Sequence, residues 1–283
     1  MPRKPIISLI GAGNLARALA PALRQAGYPV DEIVSRDRPE SQRRARTLAR
    51  RVSARPATPN TAELTAPIVW LCVTDDAIAP CTRSLARSRN WRGRVVLHSS
   101  GALSSDLLAP LRRRGAAVGS LHPMMTFTPG SVSSLAGITF AVEGDPAAVR
   151  AARAIARALG GHVLAIRKQN KALYHSWGSF ASPLVVATLA LAEEIAVHAG
   201  VPRSRLRSTM TPIILRTLQN YLQRGRAAAF SGPLVRGDVT TIRHHLRDLK
   251  RVPGAREVYV ALVRSALRTL PVKNRAAIRR LLG

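Results

Sequence analysis

Pro5-Ile6-Ile7-Ser8-Leu9-Ile10-Gly11-Ala12-Gly13-Asn14-Leu15-Ala16-Arg17-Ala18-Leu19 decides the fold. An apolar run of strand length ends in two glycines one residue apart. A helical pattern opens at Asn14 and Leu15 and continues with Leu19 and Leu23 at i+4 spacing. This strand–turn–helix opens a dinucleotide-binding unit. Gly11 permits the tight turn, and Gly13 lets the backbone approach a pyrophosphate where a Cβ would collide with it. Ala16 takes the place of the usual third glycine. The free N–H groups at the helix start, with the positive end of its dipole, face the phosphates.

The next elements extend the unit. Glu32-Ile33-Val34-Ser35 reads as the second strand. A fold that binds NAD has a carboxylate near this strand's end for the adenine ribose. Here Ser35-Arg36 stands there, with Arg38, Arg43 and Arg44 behind it. A hydroxyl and a guanidinium bind a 2′-phosphate that a carboxylate would repel, so NADP(H) is expected. Asp37 is the competing ribose partner if the register shifts by two. Arg43, Arg46 and Arg50 also fit a solvated helix face.

Pro67 to Val73 is a continuous apolar run, the mark of a central parallel strand. It ends in Thr74-Asp75-Asp76, with a helix expected from Ala77. Polar residues at the carboxyl end of such a strand lie where ligands bind, so Val73, Thr74 and Asp75 are cofactor candidates, and Asp75 fits a helix cap equally well. Arg94 to Leu97 is a further strand, followed by His98-Ser99-Ser100-Gly101, which adds Ser99 and Ser100. Ser104 and Asp106 open a helix through Leu111. Val118 to Leu121, Ile138 to Val142 and His162 to Ile166 complete the strands, with a helix from Ala147 to Leu159. The alternation predicts an α/β, Rossmann-type doubly wound parallel sheet over 1–166.

From 167 to 283 the pattern is all-helical. Lys171 to Ala199 reads as one long helix, and Arg203 to Gln223 as a second with a kink at Pro212. Ser231 to Asp238 reads as a turn-rich loop, Val239 to Leu249 and Ala255 to Leu270 as helices, and the stretch after Pro271 as a basic tail. Lys171, His175, Gly178, Ser179 and Ser182 recur on one face of the long helix. That polar stripe is expected to face a cleft between the two domains. A cation, an imidazole and hydroxyls suit reduction of a carbonyl or imine, where a proton must follow the hydride. Lys171 would polarise the carbonyl or bind a carboxylate, and His175 would donate the proton or hold Lys171. An exposed lysine and a structural histidine are the plain alternatives. His122, at a strand end, is a second acid candidate. Ser179, Ser182 and Arg236 are candidates to hold substrate, although a bridge from Arg236 to Asp238 would explain that loop as well. His244-His245 has no metal-ligand partner at usable spacing, and no metal is expected.

Composition bounds the rest. The chain has 283 residues, is 46% hydrophobic and has two cysteines, Cys72 and Cys81, which form no disulfide framework. Residues 1–5 do not read as a signal peptide, and the longest apolar stretch, Pro183 to Ala192, is short for a bilayer. A cytoplasmic protein without a membrane partner is expected. The net charge of +29 invites a nucleic-acid reading. Yet arginines are scattered over nearly every helix, aromatics are 4%, and no recognition motif accompanies them. The charge reads as a compositional habit rather than a nucleic-acid footprint.

Gly11-Ala12-Gly13-Asn14-Leu15-Ala16, His98-Ser99-Ser100-Gly101-Ala102-Leu103, Gly119-Ser120-Leu121-His122-Pro123-Met124, Lys171-Ala172-Leu173-Tyr174-His175 and Gly232 to Asp238 together resemble the bacterial Rossmann-like proteins with a C-terminal domain of unknown function. The likeness covers essentially the whole chain. It implies an NADP-dependent reductase whose helical domain is like that of 6-phosphogluconate dehydrogenase, with pyrroline-5-carboxylate reductase, ketopantoate reductase and deazaflavin-dependent NADP reductases as relatives. In the wider group a catalytic lysine is followed four residues later by asparagine. Lys171 matches, but His175 takes the second place, which leaves the proton donor open between the two. Ser182-Pro183 resembles the step that opens the substrate helix in pyrroline-5-carboxylate reductases. The resemblance also implies a homodimer through the helical domain. The function expected is reduction of a small anionic 2-keto acid or cyclic imine. The alternative is an NADP(H) sensor or scaffold without turnover.

Overall fold

The structure is a computed structural model that describes residues 3–88, 90–128 and 134–283. Its chain contacts divide it into two compact units that meet at Ser182 and Pro183, later than the boundary after 166 expected from the change of pattern.

The first unit is built on one eight-stranded sheet in the order β3-β2-β1-β4-β5-β6-β7-β8. The strands are β1 (Ile7–Ile10), β2 (Val30–Val34), β3 (Arg55–Ala57), β4 (Ile68–Leu71), β5 (Val95–His98), β6 (Ala117–Pro123), β7 (Thr139–Gly144) and β8 (His162–Ala165). Its helices are α1 (Asn14–Gln25), α2 (Pro39–Val52), α3 (Asp75–Ser88), α4 (Ala109–Arg112), α5 (Pro146–Ala158) and α6 (Lys171–Ala181). Side chains alternate across the strands. Ile7, Leu9, Ile68 and Trp70 join a core with Leu19, Leu23, Leu48 and Ile155, while Ile10, Val69 and Leu71 join a second with Ile78, Leu108 and Leu111. Thus α1, α2 and α5 cover one face and α3 and α4 the other, as a doubly wound sheet requires.

Four details differ from expectation. The sheet is not wholly parallel: β6 and β7 pair antiparallel, with Ser120 opposite Glu143. β3 is an additional edge strand of three residues, Arg55-Pro56-Ala57, too short and too polar to show alternation. It is held by the buried Glu32, which forms an ion pair with Arg55 and accepts the N–H of Leu64 at 2.7 Å. α3 starts at Asp75 rather than Ala77. The helix after Ser104 begins as a 3₁₀ turn, Ser105–Leu108, capped by the Ser104 side chain.

The second unit contains α7 (Pro183–His198), α8 (Leu206–Ala229), α9 (Pro233–Arg236), α10 (Val239–Asp248), α11 (Ala255–Thr269) and α12 (Arg275–Leu282). The long helix expected from Lys171 is two helices. Pro183 lacks an N–H and drives the residue before it out of helical space, and Ser182 sits at φ −136°, ψ −83°. In α8 the non-helical angles fall at Gly225 (φ 74°, ψ 173°) and not at Pro212, because only glycine enters that region without strain. The loop before Asp238 holds the single turn α9. The stretch after Pro271 is no loose tail. Ile278 and Leu282 share a face of α12 and pack with Ile242, Val263 and Leu267, while Arg275, Arg279 and Arg280 line its other sides.

The run Lys168–His198 is long and apolar enough, by length and composition, to cross a membrane, and its most apolar window is not buried. This exceeds the Pro183–Ala192 stretch, although Ser182 and Pro183 divide it. α7 has no buried residue and α8 only Leu206.

Candidate active site

At the carboxyl ends of β1 and β4, where the strand order reverses, lies a cavity of about 380 Å³ bordered by Gly11, Gly13, Ser35, Arg36, Arg44 and Thr74. Two different constraints hold its two glycines. Gly11 has φ +113°, and a Cβ there would run into the carbonyl oxygen of Cys72 on the neighbouring strand. Gly13 has an ordinary φ of −77°, and a Cβ on it would meet nothing within 4 Å. The protein itself therefore does not require glycine at 13, and the space beside the start of α1 is open. Arg36 and Arg44 give the rim its positive charge, and Ser41 adds a hydroxyl in the first turn of α2.

Of the expected cofactor residues, Gly11, Gly13, Ser35, Arg36, Val73 and Thr74 border this cavity. The others have protein partners. Asn14 donates to the Phe127 carbonyl at 3.1 Å, and Leu15 packs against the core. Ser99 accepts the Trp70 indole N–H at 2.7 Å. Ser100 donates to Asp75 at 2.9 Å, tying the start of α3 to the end of β5. Asp37 accepts from Gln42 at 2.6 Å and does not line the cavity.

The second feature is a buried polar cluster at the ends of β5 and β6. Lys171 is only 2% exposed. Its Nζ donates to the Ser100 carbonyl at 2.6 Å and to Ser120 Oγ at 2.5 Å, and lies 3.9 Å from Glu143. Glu143 is itself fixed by the N–H and hydroxyl of Ser105, both at 2.8 Å. Burial brings the Lys171 ammonium down to about 8, with Glu143 and Asp75 opposing the fall. Lys171 is thus neither an exposed lysine nor one member of a solvated stripe, and its partners all belong to the first unit. Serine hydroxyls further along the helix bond within it: Ser179 donates to the His175 carbonyl at 3.1 Å.

Beside this cluster, three rings meet, two of them over Gly101. Tyr174 Oη and His122 Nδ1 are 2.9 Å apart with their rings edge-on, and the exposed His175 ring stands 6.1 Å from that of His122. A Cβ on Gly101 would lie 2.5 Å from His175 and 2.7 Å from His122 Nε2. Burial first, then the charges of Lys171 and His175, lower His122 to about 4. Burial raises Tyr174 to about 12. His98, fully buried, accepts the Ser100 N–H at 3.1 Å and is lowered to about 3 by burial and by Lys171.

Tyr174, Ser120, Ser105 and Glu143 escaped the sequence reading. Glu143 had a signal, a lone carboxylate closing the apolar strand Thr139-Phe140-Ala141-Val142. Tyr174 had another, its i+3 spacing from Lys171. Arg236 stands exposed in the second unit, where Asp238 caps α10 by accepting the Thr241 N–H at 3.0 Å; no ion pair joins the two among the described residues. His245 pairs with Tyr259 at 3.1 Å. No group of three or more potential metal ligands occurs among the described residues.

A glycine turn at the switch point of a 3-2-1-4-5 sheet defines a dinucleotide-binding Rossmann domain. The comparisons agree. Residues 2–123 match the model of the Rossmann-like domain and residues 138–266 that of the domain of unknown function DUF2520, the pairing its motifs resemble. Among solved structures it is similar to a candidate NADP oxidoreductase from Bacteroides fragilis, at 26% identity over 93% of this chain and 98% of that one, with a TM-score of 0.74. It is similar to a Thermotoga maritima protein at 25% identity over 91% and 95%, TM-score 0.72. A reductive aminase from Aspergillus terreus, solved with NADPH and ethyl-5-oxohexanoate, shares the fold at 16% identity over 98% and 99%, TM-score 0.67. No curated protein matches.

Proposed function

We propose that the protein is an NADPH-dependent reductase of a small anionic 2-keto acid or cyclic imine. The observation that carries this is the open space over Gly13, in a cavity rimmed by Arg36 and Arg44. Gly11, Gly13 and the first N–H groups of α1 would hold the pyrophosphate, and Ser35 with the two arginines a 2′-phosphate. The bound cofactor supplies hydride. Lys171 supplies charge at the ends of β5 and β6, and its ammonium, near 8, is poised to give a proton at neutral pH. The Bacteroides fragilis and Aspergillus terreus relatives support the reading at the level of cofactor and reaction class. Ser182 and Arg236 are assigned to substrate holding on sequence alone; a raised KM in S182A or R236A tests each. Fluorescence titration with NADPH and with NADH tests the cofactor. Tight binding of NADPH and weak binding of NADH is expected, and binding of neither removes the proposal.

One observation favours a second reading, cofactor binding without turnover. Lys171 is enclosed by Ser100 and Ser120, as a purely structural lysine would be. A stable NADPH complex that oxidises no keto acid or imine in a panel would decide for it.

The apolar surface of the helical unit is assigned to a second copy of the chain. Val186 is 65% exposed and Leu222 80%, on helices that bury almost nothing of their own. Light scattering after gel filtration should give twice the chain mass; a monomer that co-sediments with lipid vesicles would instead make this a membrane surface.

A further inference from the structure

We infer that Tyr174 fixes His122 as the Nε2–H tautomer, a neutral hydrogen-bond donor aimed into the hollow over Gly101, and that this donor takes a carbonyl oxygen of the substrate. The inference rests on the reductase reading and narrows it, from keto acid or imine to an oxo acid.

The tautomer follows from hydrogen-bond accounting. Tyr174 is buried, and among the described residues the one partner of its hydroxyl is His122 Nδ1. If Nδ1 carried the proton, it would donate to the phenol oxygen, and the phenolic proton would be left without an acceptor. A stranded buried donor costs about 1–3 kcal/mol. If the phenol donates to Nδ1, both ends of this bond are satisfied and the ring proton resides on Nε2. The phenol keeps its proton, since burial raises Tyr174 to about 12. The imidazole stays uncharged, because burial, Lys171 and His175 all oppose its protonation. The titratable groups that face it are Lys171, Tyr174 and His175 from α6 and His98 from β5.

Among the described residues Nε2 has no hydrogen-bond partner. It borders the space that a side chain at 101 would fill. Glycine there leaves a place for an acceptor between two histidines. A carbonyl oxygen has lone pairs for a neutral N–H, and the charge that gathers on it as the C=O π pair shifts strengthens that bond. A protonated imine has no lone pair at nitrogen, and the positive Lys171 nearby repels it. His122 donates a hydrogen bond and transfers no proton, so it differs in role from Lys171.

Two measurements test this on the full-length protein. Long-range ¹H–¹⁵N correlation spectra at pH 7 report the His122 tautomer without substrate. A neutral Nε2–H ring is expected, with an admixture of Nδ1–H in Tyr174→Phe, where nothing holds the tautomer. An Nδ1–H or charged ring in the wild type overturns the assignment. With NADPH, pyruvate and 1-pyrroline-2-carboxylate are then compared below the pKa of the imine. The oxo acid should have kcat/KM at least about tenfold higher. His122→Ala should lower it about 10²-fold, and His122→Gln, which keeps a neutral N–H in place, about tenfold or less. Faster reduction of the imine, or equal loss in H122A and H122Q, overturns the role. Turnover of neither substrate by a protein that binds NADPH defeats the reductase reading and the oxo-acid assignment with it; the tautomer is decided by the spectra in either case.

Discussion

Replacing Gly13 by alanine separates a glycine kept for a ligand from one kept for the fold. The φ of −77° at Gly13 suits any residue, and the new methyl meets no atom within 4 Å. Loss of unfolded-state freedom stabilises such a substitution by about 0.4–1 kcal/mol. Gly13 is also the N-cap of α1, where alanine ranks below glycine, a cost on the order of 1 kcal/mol at most. The two nearly cancel, so stability should change by less than about 1 kcal/mol, under ~4 °C in Tm. Gly11→Ala is the contrast. Its φ of +113° and the clash with the Cys72 carbonyl cost about 1–3 kcal/mol for strain and a similar amount for overpacking. Together these lower Tm by roughly 5–15 °C. NADPH affinity of G13A should nonetheless fall at least tenfold, about 1.4 kcal/mol, because the methyl occupies the space left for the pyrophosphate. Scanning calorimetry without cofactor and fluorescence titration with NADPH supply both numbers. A G13A protein that binds NADPH like the wild type, or that melts as early as G11A, refutes the reasoning.

Arg36→Ala should raise the NADPH Kd about tenfold or more and leave NADH nearly unchanged, since only NADPH has the 2′-phosphate; equal effects on both would place Arg36 elsewhere. Lys171→Ala should lower kcat/KM by about 10²–10⁴, which initial-rate kinetics at pH 7 will read. The buried ammonium also has a stability signature. The folded pKa of Lys171, about 8, lies below its unfolded value of 10.5. Between those pH values the unfolded chain binds more protons, so folding stability rises with pH across that window and is flat below it. Urea titrations at pH 7.5 and 10 should show a rise in the wild type that Lys171→Met lacks. Ile278→Ala, in the core of the helical unit, should cost about 2–5 kcal/mol; a loss below 0.5 kcal/mol would mean that α12 does not complete that core.

What the sequence made legible was local. The glycine turn, the run from Ile68 to Leu71 and the helical periods are each carried by neighbouring residues. β3 has three residues, two of them exposed, and leaves no pattern to find. Lys171 stood out by residue type, but its burial depends on Ser100, Ser120 and Glu143, which come from three strands or strand ends that only the sheet brings together. Tyr174 was given no role, because its partner lies 52 positions away. Which arginine of α2 turns toward the cavity is set by the phase that Ala45, Leu48, Ala49 and Val52 impose on the helix. That phase selects Arg44, which the charge pattern alone did not distinguish from Arg43.

The reversal of β7 has a consequence for how this protein can diversify. In a parallel pair, the connection that leaves the ligand edge must return to the opposite edge before the next strand begins. Here Pro123 pairs with Phe140, so β6 ends and β7 begins at the same edge as the candidate site. In the connection between them, Asn14 already holds the Phe127 carbonyl. Lengthening such a connection costs only a logarithmic closure entropy, about 0.6 kcal/mol per doubling, and shifts no strand register. Descendants of this scaffold could therefore exchange substrates by rewriting this one segment, while Lys171, Ser120 and Glu143 stayed in place.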